Sequence, residues 1–299
     1  MRFSGHETFH IREGWLHKGL KLLCDEPAKF HDPYMHDWLG VGSNMGKSIQ
    51  HWLVATKLAE RKAENGGGLS LSELGMIILE KDPYFLSLFT WWVLHINLVN
   101  GMDLSTSWHW FFNYFLQAQF KKEHCVEQLV RHYSTRGTSL PGIKTLERDM
   151  SCLLSSYART IPEENSDPEE SYNCPFRKLG MFIYFKDTNT YHLNRNKKNI
   201  PGMALGYCLS LSATPSDVKV REVSISDAAA EVNGPGKCFG LPPGEIFDLV
   251  EAFIQSEPKS GISLVALAGK RMIQFPNYKP NEWVHRYFKE NAEVVYGRK

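Results

Sequence analysis

Residues 38–62 read WLGVGSNMGKSIQHWLVATKLAERK, and this stretch has the pattern of the turn and second helix of a helix-turn-helix. The glycine-bearing segment 39–42 predicts the turn. Ser43 predicts the N-cap, because a serine hydroxyl accepts hydrogen bonds from the free N–H groups of a first helical turn. An apolar stripe then recurs at steps of three and four residues, formed by Met45, Ile49, Trp52, Leu53 and Thr56. We expect this helix to end at Arg61 and Lys62, before the glycines at 66–68.

Polar residues that lie off this stripe are candidates for contact with DNA. They are Asn44, Lys47, His51, Lys57, Arg61 and Lys62. Amides and cations on the outward face of the second helix of such a motif contact base edges and phosphates. The alternative is an ordinary solvated face, since helix-turn-helix folds also serve purely as scaffolds.

The composition favours a folded protein with more than one domain. The chain has 299 residues, of which 42% are hydrophobic and 12% are aromatic. That is enough for two or three domains with sizeable cores. The net charge of +1 gives no global sign of nucleic-acid binding, so a DNA-binding surface has to be a local patch.

The cysteines and the apolar runs bear on the compartment. The six cysteines are scattered without a CxxC pair, which excludes the common zinc-ribbon spacings and argues against a disulfide framework. The first residues lack a charged-then-apolar signal pattern, and the most apolar run, 85–99, contains His95 and Asn97. We therefore expect a cytoplasmic protein without a membrane span.

The order of the predicted elements gives a mainly α fold with small β-hairpins, an α+β class, in three parts. Three helices, a glycine turn and a short strand predict a winged-helix-like DNA-binding domain at 1–80. A helical region with a second helix-turn-helix and a β-hairpin follows at 81–200. Its tryptophan- and phenylalanine-rich helices are predicted to be core, rather than a stacking platform for bases. Residues 201–299 are expected to form an α+β accessory or interaction domain.

The middle region repeats the theme of the opening stretch. Helices near 126–133 and 143–154 predict the second helix-turn-helix, with Lys144 and Arg148 off its apolar stripe. The segment 181–194 predicts a β-hairpin in the position of a wing. A basic run follows the hairpin, formed by Arg195, Lys197 and Lys198. Such a run is commonly a solvated face, and beside a hairpin it is also a candidate for phosphate contact.

The segment His6-Glu7-Thr8-Phe9-His10 spells HExxH. On a helix, this motif places two imidazoles one turn apart on Zn²⁺, with the glutamate as general base. Helix is expected to start only after His10, which argues against a zinc peptidase. The alternative is structural, with His6 and Glu7 as buried hydrogen-bonding residues that brace the first helix.

Residues 46–48, Gly-Lys-Ser, end like a Walker A motif. That motif needs four residues between its first glycine and the Gly-Lys pair. Gly40 and Gly42 both stand at the wrong spacing, and the segment before them is a poor buried strand. We therefore assign no nucleotide binding to it.

Two segments, FSGHETFHIREGWLHKGL at 3–20 and LGVGSNMGKSIQHWL at 39–53, resemble the SspB-type family of the bacterial single-strand DNA phosphorothioation system. In that system, sulfur replaces a non-bridging phosphate oxygen. Weaker agreement at 82–84, 107–113, 146–149, 174–177 and 233–236 extends the resemblance over nearly the whole chain. The chain departs from the family pattern at Ser43 and at Gln50-His51, which favours phosphate contact over base reading.

The resemblance implies DNA binding, and nicking of one strand to open the site for sulfur insertion. It also implies a cysteine desulfurase, an ATPase and a PAPS-reductase-like sulfurtransferase as partners. If nicking occurs, His6, Glu7 and His10 are the candidates for a general base or metal ligand, with Mg²⁺ as the expected metal. The alternatives are a non-catalytic adaptor that brings the sulfur machinery to DNA and, from another class, a zinc peptidase. The oligomeric state stays open.

Overall fold

The computed structural model describes residues 1–62, 68–161, 174–214, 217–267 and 269–291, whose fold mixes helices with small sheets. This agrees with the predicted α+β class. Contacts group the chain into two units, Met1–Leu86 with Asn97–Asn194 and Ser87–Ile96 with Arg195–Lys299. The three-part division at 80 and 200 stays a prediction about domains.

The first unit opens with helices that pack around the predicted apolar stripe. These helices and a small sheet are α1 (Trp15–Asp25), α2 (Pro27–Phe30), α3 (Met35–Leu39), α4 (Ser43–Ala55), β1 (Ala59–Arg61), β2 (Leu69–Leu71) and α5 (Glu73–Lys81). Strands β1 and β2 pair antiparallel. On α4, Ile49, Trp52 and Leu53 are buried, as the stripe predicts. Gly19 lets α1 approach closely, because a Cβ there would lie 2.7 Å from Cγ2 of Ile49.

Both ends of α4 differ from the prediction. Gly42 is the N-cap and Ser43 is already helical, without a side-chain cap hydrogen bond. At the other end, Lys57 has left-handed backbone with φ of 63°. The N–H groups of Lys57 and Leu58 bond back to carbonyls of the last turn at 3.1 and 2.9 Å. These bonds form a Schellman motif, which ends the helix at Ala55. Glycine is the usual residue at this left-handed position. Because a lysine occupies it here, the sequence pattern did not indicate the end of the helix.

The rest of the first unit combines aromatic-rich helices with a mixed sheet. The chain returns from the second unit through α6 (Leu88–Asn100). The following elements are α7 (Thr106–Tyr114), β3 (Gln119–Phe120), α8 (Lys122–Ser134), α9 (Ile143–Tyr157), β4 (Ala158–Ile161), a 3₁₀ helix (Pro175–Leu179), β5 (Phe182–Phe185) and β6 (Thr190–Leu193). The strand order is β3-β6-β5-β4, with only the β4–β5 pair parallel.

Two predictions for this region are confirmed. Strands β5 and β6 form the expected hairpin. The aromatic side chains of α7 are core, since Trp108, Trp110 and Phe111 are each 2% exposed. Burial of these rings supplies a large share of the hydrophobic stabilisation of the unit.

The second unit packs helices against a three-stranded sheet. Its elements after α6 are α10 (Gly202–Ser212), β7 (Val220–Ser224), α11 (Ile225–Ala230), α12 (Pro235–Phe239), α13 (Pro243–Ser256), β8 (Ser263–Leu267), β9 (Lys270–Pro276) and α14 (Pro280–Glu290). The sheet is antiparallel, with β9 between β7 and β8. Gly206 of α10 lies against the indole of Trp283, where a Cβ would come within 2.6 Å. Among the helices of the described residues, none combines the length and apolar character needed to cross a membrane.

Candidate functional site

The N-terminal segment that carries HExxH consists of tight turns and not of helix. Ser4, Glu7 and Thr8 have left-handed backbone, with φ of 55°, 49° and 71°. Helix α1 begins only at Trp15. The two histidines of the motif therefore do not lie one helical turn apart. The zinc-peptidase geometry expected of this motif is wrong for this chain, because the left-handed residues prevent a helix from forming there.

His6 lies in a buried polar cluster that ties this segment to α7 and α9. Its Nε2 is 2.7 Å from Oδ1 of Asp149, and the same oxygen accepts from the backbone N–H of Ser4 at 2.7 Å. The hydroxyl of Ser107 donates to the other carboxylate oxygen. His6 and Ser107 are each 1% exposed, and Asp149 is 2% exposed. A buried carboxylate is stabilised by such a full set of donors.

The hydrogen bonds of His6 define its tautomer. The N–H of Thr8 donates to Nδ1 at 3.1 Å, so Nδ1 acts as an acceptor and Nε2 carries the proton donated to Asp149. Both ring nitrogens are therefore occupied within the protein. Ser107 bonds to Asp149 and not to His6, so the group is not a nucleophile–base pair. This geometry matches the structural alternative for His6 given by the sequence. The expectation that Glu7 is buried beside His6 is wrong, because Glu7 is part-exposed, as is His10.

His51 joins the same cluster from α4. Its ring lies 6.1 Å from that of His6, and His6 stacks on Trp52 at 5.7 Å. Burial, with smaller contributions from His6 and Arg2, lowers the pKa of His51 to about 3. The prediction that His51 projects from the surface is wrong, because the N-terminal segment covers that side of α4. Gly5 makes this possible, since a Cβ there would lie 2.5 Å from Nδ1 of His51.

The other candidates of the first unit are all exposed. They are Asn44, Lys47, Lys57, Arg61, Lys62, Lys144 and Arg148. Asn44 and Lys47 lie near the N-terminus of α4, and Lys144 and Arg148 share one face of α9 at a spacing of four residues. Arg61 and Lys62 do not continue α4 as predicted, because Arg61 lies in β1. Within the described residues, none of these cations forms a salt bridge, so their charges are available to an anion.

In the second unit, Lys237 lies near the predicted basic run of Arg195, Lys197 and Lys198. Arg195 and Lys197 are exposed, whereas Lys198 is half-buried. Burial lowers the pKa of Lys198 to about 8, and Glu245 opposes the shift. Burial and the nearby charge of Arg195 also lower the pKa of Lys237. An anion that binds beside Lys237 would relieve the repulsion from Arg195 that contributes to this shift.

Lys237 was missed by the sequence reasoning, although its segment, Asn233-Gly-Pro-Gly-Lys237, is part of the family resemblance. Gly236 holds the start of α12 tightly against α11, because a Cβ there would lie 2.3 Å from the carbonyl oxygen of Ala229. The sequence alone does not contain this packing, so Lys237 carried no local signal of its proximity to Arg195.

These features define a two-unit α+β protein whose first unit presents unpaired cations on two helices. The sequence profile of DUF4007, a family described as a protein of unknown function, matches residues 3–288, and the chain belongs to this family. Two solved structures of SspB share its fold, one of them bound to magnesium, with TM-scores of 0.84 and 0.83. Each is 23% identical in sequence, and each alignment covers 99% of this chain and 89% of the SspB chain. No curated protein matches the sequence. The resemblance to the SspB type is thus confirmed for the fold.

Proposed function

We propose that this protein binds DNA as the SspB-type component of a DNA phosphorothioation system. The observation that carries the proposal is the shared SspB fold over 99% of the chain. The exposed cations of α4 and α9 supply the chemistry, since phosphate contacts dominate the affinity of proteins for DNA.

The proposed DNA-binding elements are two winged-helix-like modules in the first unit. Helices α3 and α4 flank the turn at 40–42, and the β1–β2 hairpin follows them in the position of a wing. Helices α8 and α9 are followed in the same way by the sheet that contains β5 and β6. This order of elements is typical of helix-turn-helix proteins that place their second helix in the major groove.

Phosphate contact is the proposed mode of binding. Asn44 and Lys47 at the start of α4, with Lys57, Arg61 and Lys62 beyond its end, present cations and one amide to the solvent. His51 is withdrawn from this set because it is buried. Lys144 and Arg148 on α9 form the corresponding pair. In the second unit, Arg195, Lys197, Lys198 and Lys237 are proposed as a separate phosphate-binding group.

Nicking of one strand is the activity that the resemblance implies, and Mg²⁺ is the metal proposed for it. Among the described residues, no group of three or more His, Cys, Asp or Glu side chains is placed to hold a metal ion. We therefore assign no step to Mg²⁺, and His6 does not fit the role of general base because its ring nitrogens are both bonded inside the protein. The proposed partners are a cysteine desulfurase, an ATPase and a PAPS-reductase-like sulfurtransferase.

A second candidate function is a non-catalytic adaptor that brings the sulfur-transfer proteins to DNA. The burial of His6 with Asp149 and Ser107 favours it, because these residues form a closed structural cluster rather than a reactive site. The two candidates share DNA binding and differ in strand cleavage.

Fluorescence anisotropy with a labelled duplex tests DNA binding, which both candidate functions share. The double variant Lys57→Glu with Arg61→Glu is expected to bind at least tenfold more weakly than the wild type at low salt. Lys21→Glu is the matched control, because Lys21 is an exposed lysine of the same unit on α1. Failure of the wild type to bind any DNA would refute the proposal.

Supercoiled plasmid, incubated with and without Mg²⁺, separates the two candidates. The nicking enzyme converts the plasmid to the open circular form, and the adaptor leaves it closed. His6→Ala tests the assignment made from the sequence. Loss of nicking with retained folding and DNA binding would restore His6 as a catalytic residue, contrary to the structural role described above.

A further inference from the structure

A cleft of about 400 Å³ opens in the first unit between the end of α7, the segment that follows it, and α8. This size lies within the range of small-ligand pockets. Its lining is aromatic, cationic and amide-bearing, and contains no carboxylate. Neither the HExxH motif nor the helix-turn-helix cations account for it.

Aromatic rings form one part of the cleft. Tyr114 is 37% exposed, which is high for a tyrosine whose ring packs 4.6 Å from that of His132. Burial, together with Arg136 and His109, lowers the pKa of His132. An exposed tyrosine beside an imidazole ring offers a π surface on which a planar ring stacks.

Two arginines, Arg131 and Arg136, form another part of the cleft lining. Arg131 and Arg136 are both exposed, and neither has a carboxylate partner among the described residues. Arg136 is held in place, because its Nη1 donates to the carbonyl of His132 at 2.9 Å and its Cζ lies 5.8 Å from the centre of the Tyr114 ring. A guanidinium fixed in this way suits a phosphate, and the exposed side chain of Arg131 adds a second positive charge to the cleft.

Trp110 adds a donor without an acceptor. It lines the cleft and is 2% exposed, and its indole N–H has no hydrogen-bond partner among the described residues. A buried N–H group without a partner costs free energy, and the indole N–H of Trp108, which does not line the cleft, also has no partner in the described part of the chain, so the proposal below does not depend on this donor.

We propose that this cleft binds one nucleotide, with its base against Tyr114 and its phosphate on Arg131 and Arg136. The nucleotide comes either from a DNA strand, in which case the inference rests on the proposed function, or from a free nucleoside monophosphate. Stacking on an aromatic side chain tolerates any base, so the cleft recognises a nucleotide without reading its identity.

Two probes distinguish the sources. A fluorescein-labelled single-stranded 12-mer of thymidines reports strand binding by anisotropy, and dAMP, measured by isothermal titration calorimetry against inorganic phosphate, reports free-nucleotide binding. Tyr114→Leu is expected to weaken whichever probe binds by about 5- to 150-fold. The matched control is Tyr84→Leu, which removes another exposed tyrosine of the same unit. Duplex binding through α4 and α9 is expected to stay within twofold.

Substitution of the two arginines is an independent test, which remains valid if Tyr114→Leu fails to fold. Arg131→Gln with Arg136→Gln, at two exposed positions, is expected to weaken the same probe at least tenfold. Normal binding of both probes by this variant would overturn the inference, as would a wild type that binds duplex DNA but neither probe. In that second case the proposed function stands. If the wild type binds dAMP but no DNA, the proposed function fails and the cleft is a free-nucleotide site.

Discussion

Replacement of Asp149 by alanine tests whether the HExxH segment has a structural role. Asp149 accepts from the N–H of Ser4, from Nε2–H of His6 and from the hydroxyl of Ser107. His6 and Asp149 side chains are 2% and 3% exposed, so water cannot replace the lost acceptor without a rearrangement.

The magnitude follows from these three donors. Each buried group left without a partner costs about 1–3 kcal/mol. Partial relaxation limits the sum for the three donors, so we expect Asp149→Ala to cost about 3–5 kcal/mol. Asp149→Asn keeps one acceptor oxygen for Ser4 and His6, and the Ser107 hydroxyl can rotate to accept from the new amide. We expect it to cost about 1–2 kcal/mol, the difference between a charged and a neutral set of hydrogen bonds.

Urea unfolding, followed by tryptophan fluorescence, measures these differences. Hydrogen exchange of the peptide 1–12 locates them, since that peptide should lose protection first in Asp149→Ala. Glu147→Ala is the control, because Glu147 is exposed two residues earlier on the same helix and should change stability by no more than about 0.5 kcal/mol. The reasoning is refuted if Asp149→Ala is as stable as Glu147→Ala and exchanges equally slowly.

Further predictions concern His51, Gly5 and Lys198. His51 has a pKa of about 3 in the folded protein, so near neutral pH it takes up a proton only on unfolding. The free energy of unfolding should therefore fall, through this residue, by up to about 1.4 kcal/mol per pH unit below pH 6.5. Urea titrations of His51→Gln at pH 7 and pH 5 should lack this loss. Gly5→Ala places a methyl group against the His51 ring and should lower the free energy of unfolding by about 1–3 kcal/mol. Adding His51→Ala to this variant should restore part of the lost stability. Additive losses in a double-mutant cycle would disprove the contact. Since the pKa of Lys198 is about 8, a phosphate contact by this lysine should weaken between pH 7 and pH 9, where the lysine loses its charge. Lys198→Arg should remove this pH dependence of DNA binding, as measured by anisotropy. An equal pH dependence in the variant would exclude the contact.

Local patterns predicted the parts of the fold that depend on local spacing. The stripe at Ile49, Trp52 and Leu53, the aromatic helix α7 and the β5–β6 hairpin all follow from periods of 3.6 or 2. The end of α4 was missed because its left-handed residue is Lys57 rather than glycine.

The site depended on contacts that no local pattern contains. Asp149 lies 143 residues from His6, so its role as the acceptor of the cluster is a property of the tertiary fold. His51 has the spacing of a surface residue, and it is buried only because the N-terminal turns cover that side of α4. Lys237 approaches Arg195 through the packing of α12. The cleft at Tyr114 likewise joins two helices and a loop.

The salt dependence of duplex binding tests the central claim most directly, because it counts phosphate contacts. The logarithm of the association constant, plotted against the logarithm of the salt concentration, should fall with a slope of about −0.9 for each contact. The variant Lys47→Gln with Lys57→Gln and Arg61→Gln should therefore have a slope shallower by about 2–3 than that of the wild type. Equal slopes for this variant, the wild type and Lys21→Gln would contradict the proposal that the cations around α4 bind the DNA backbone.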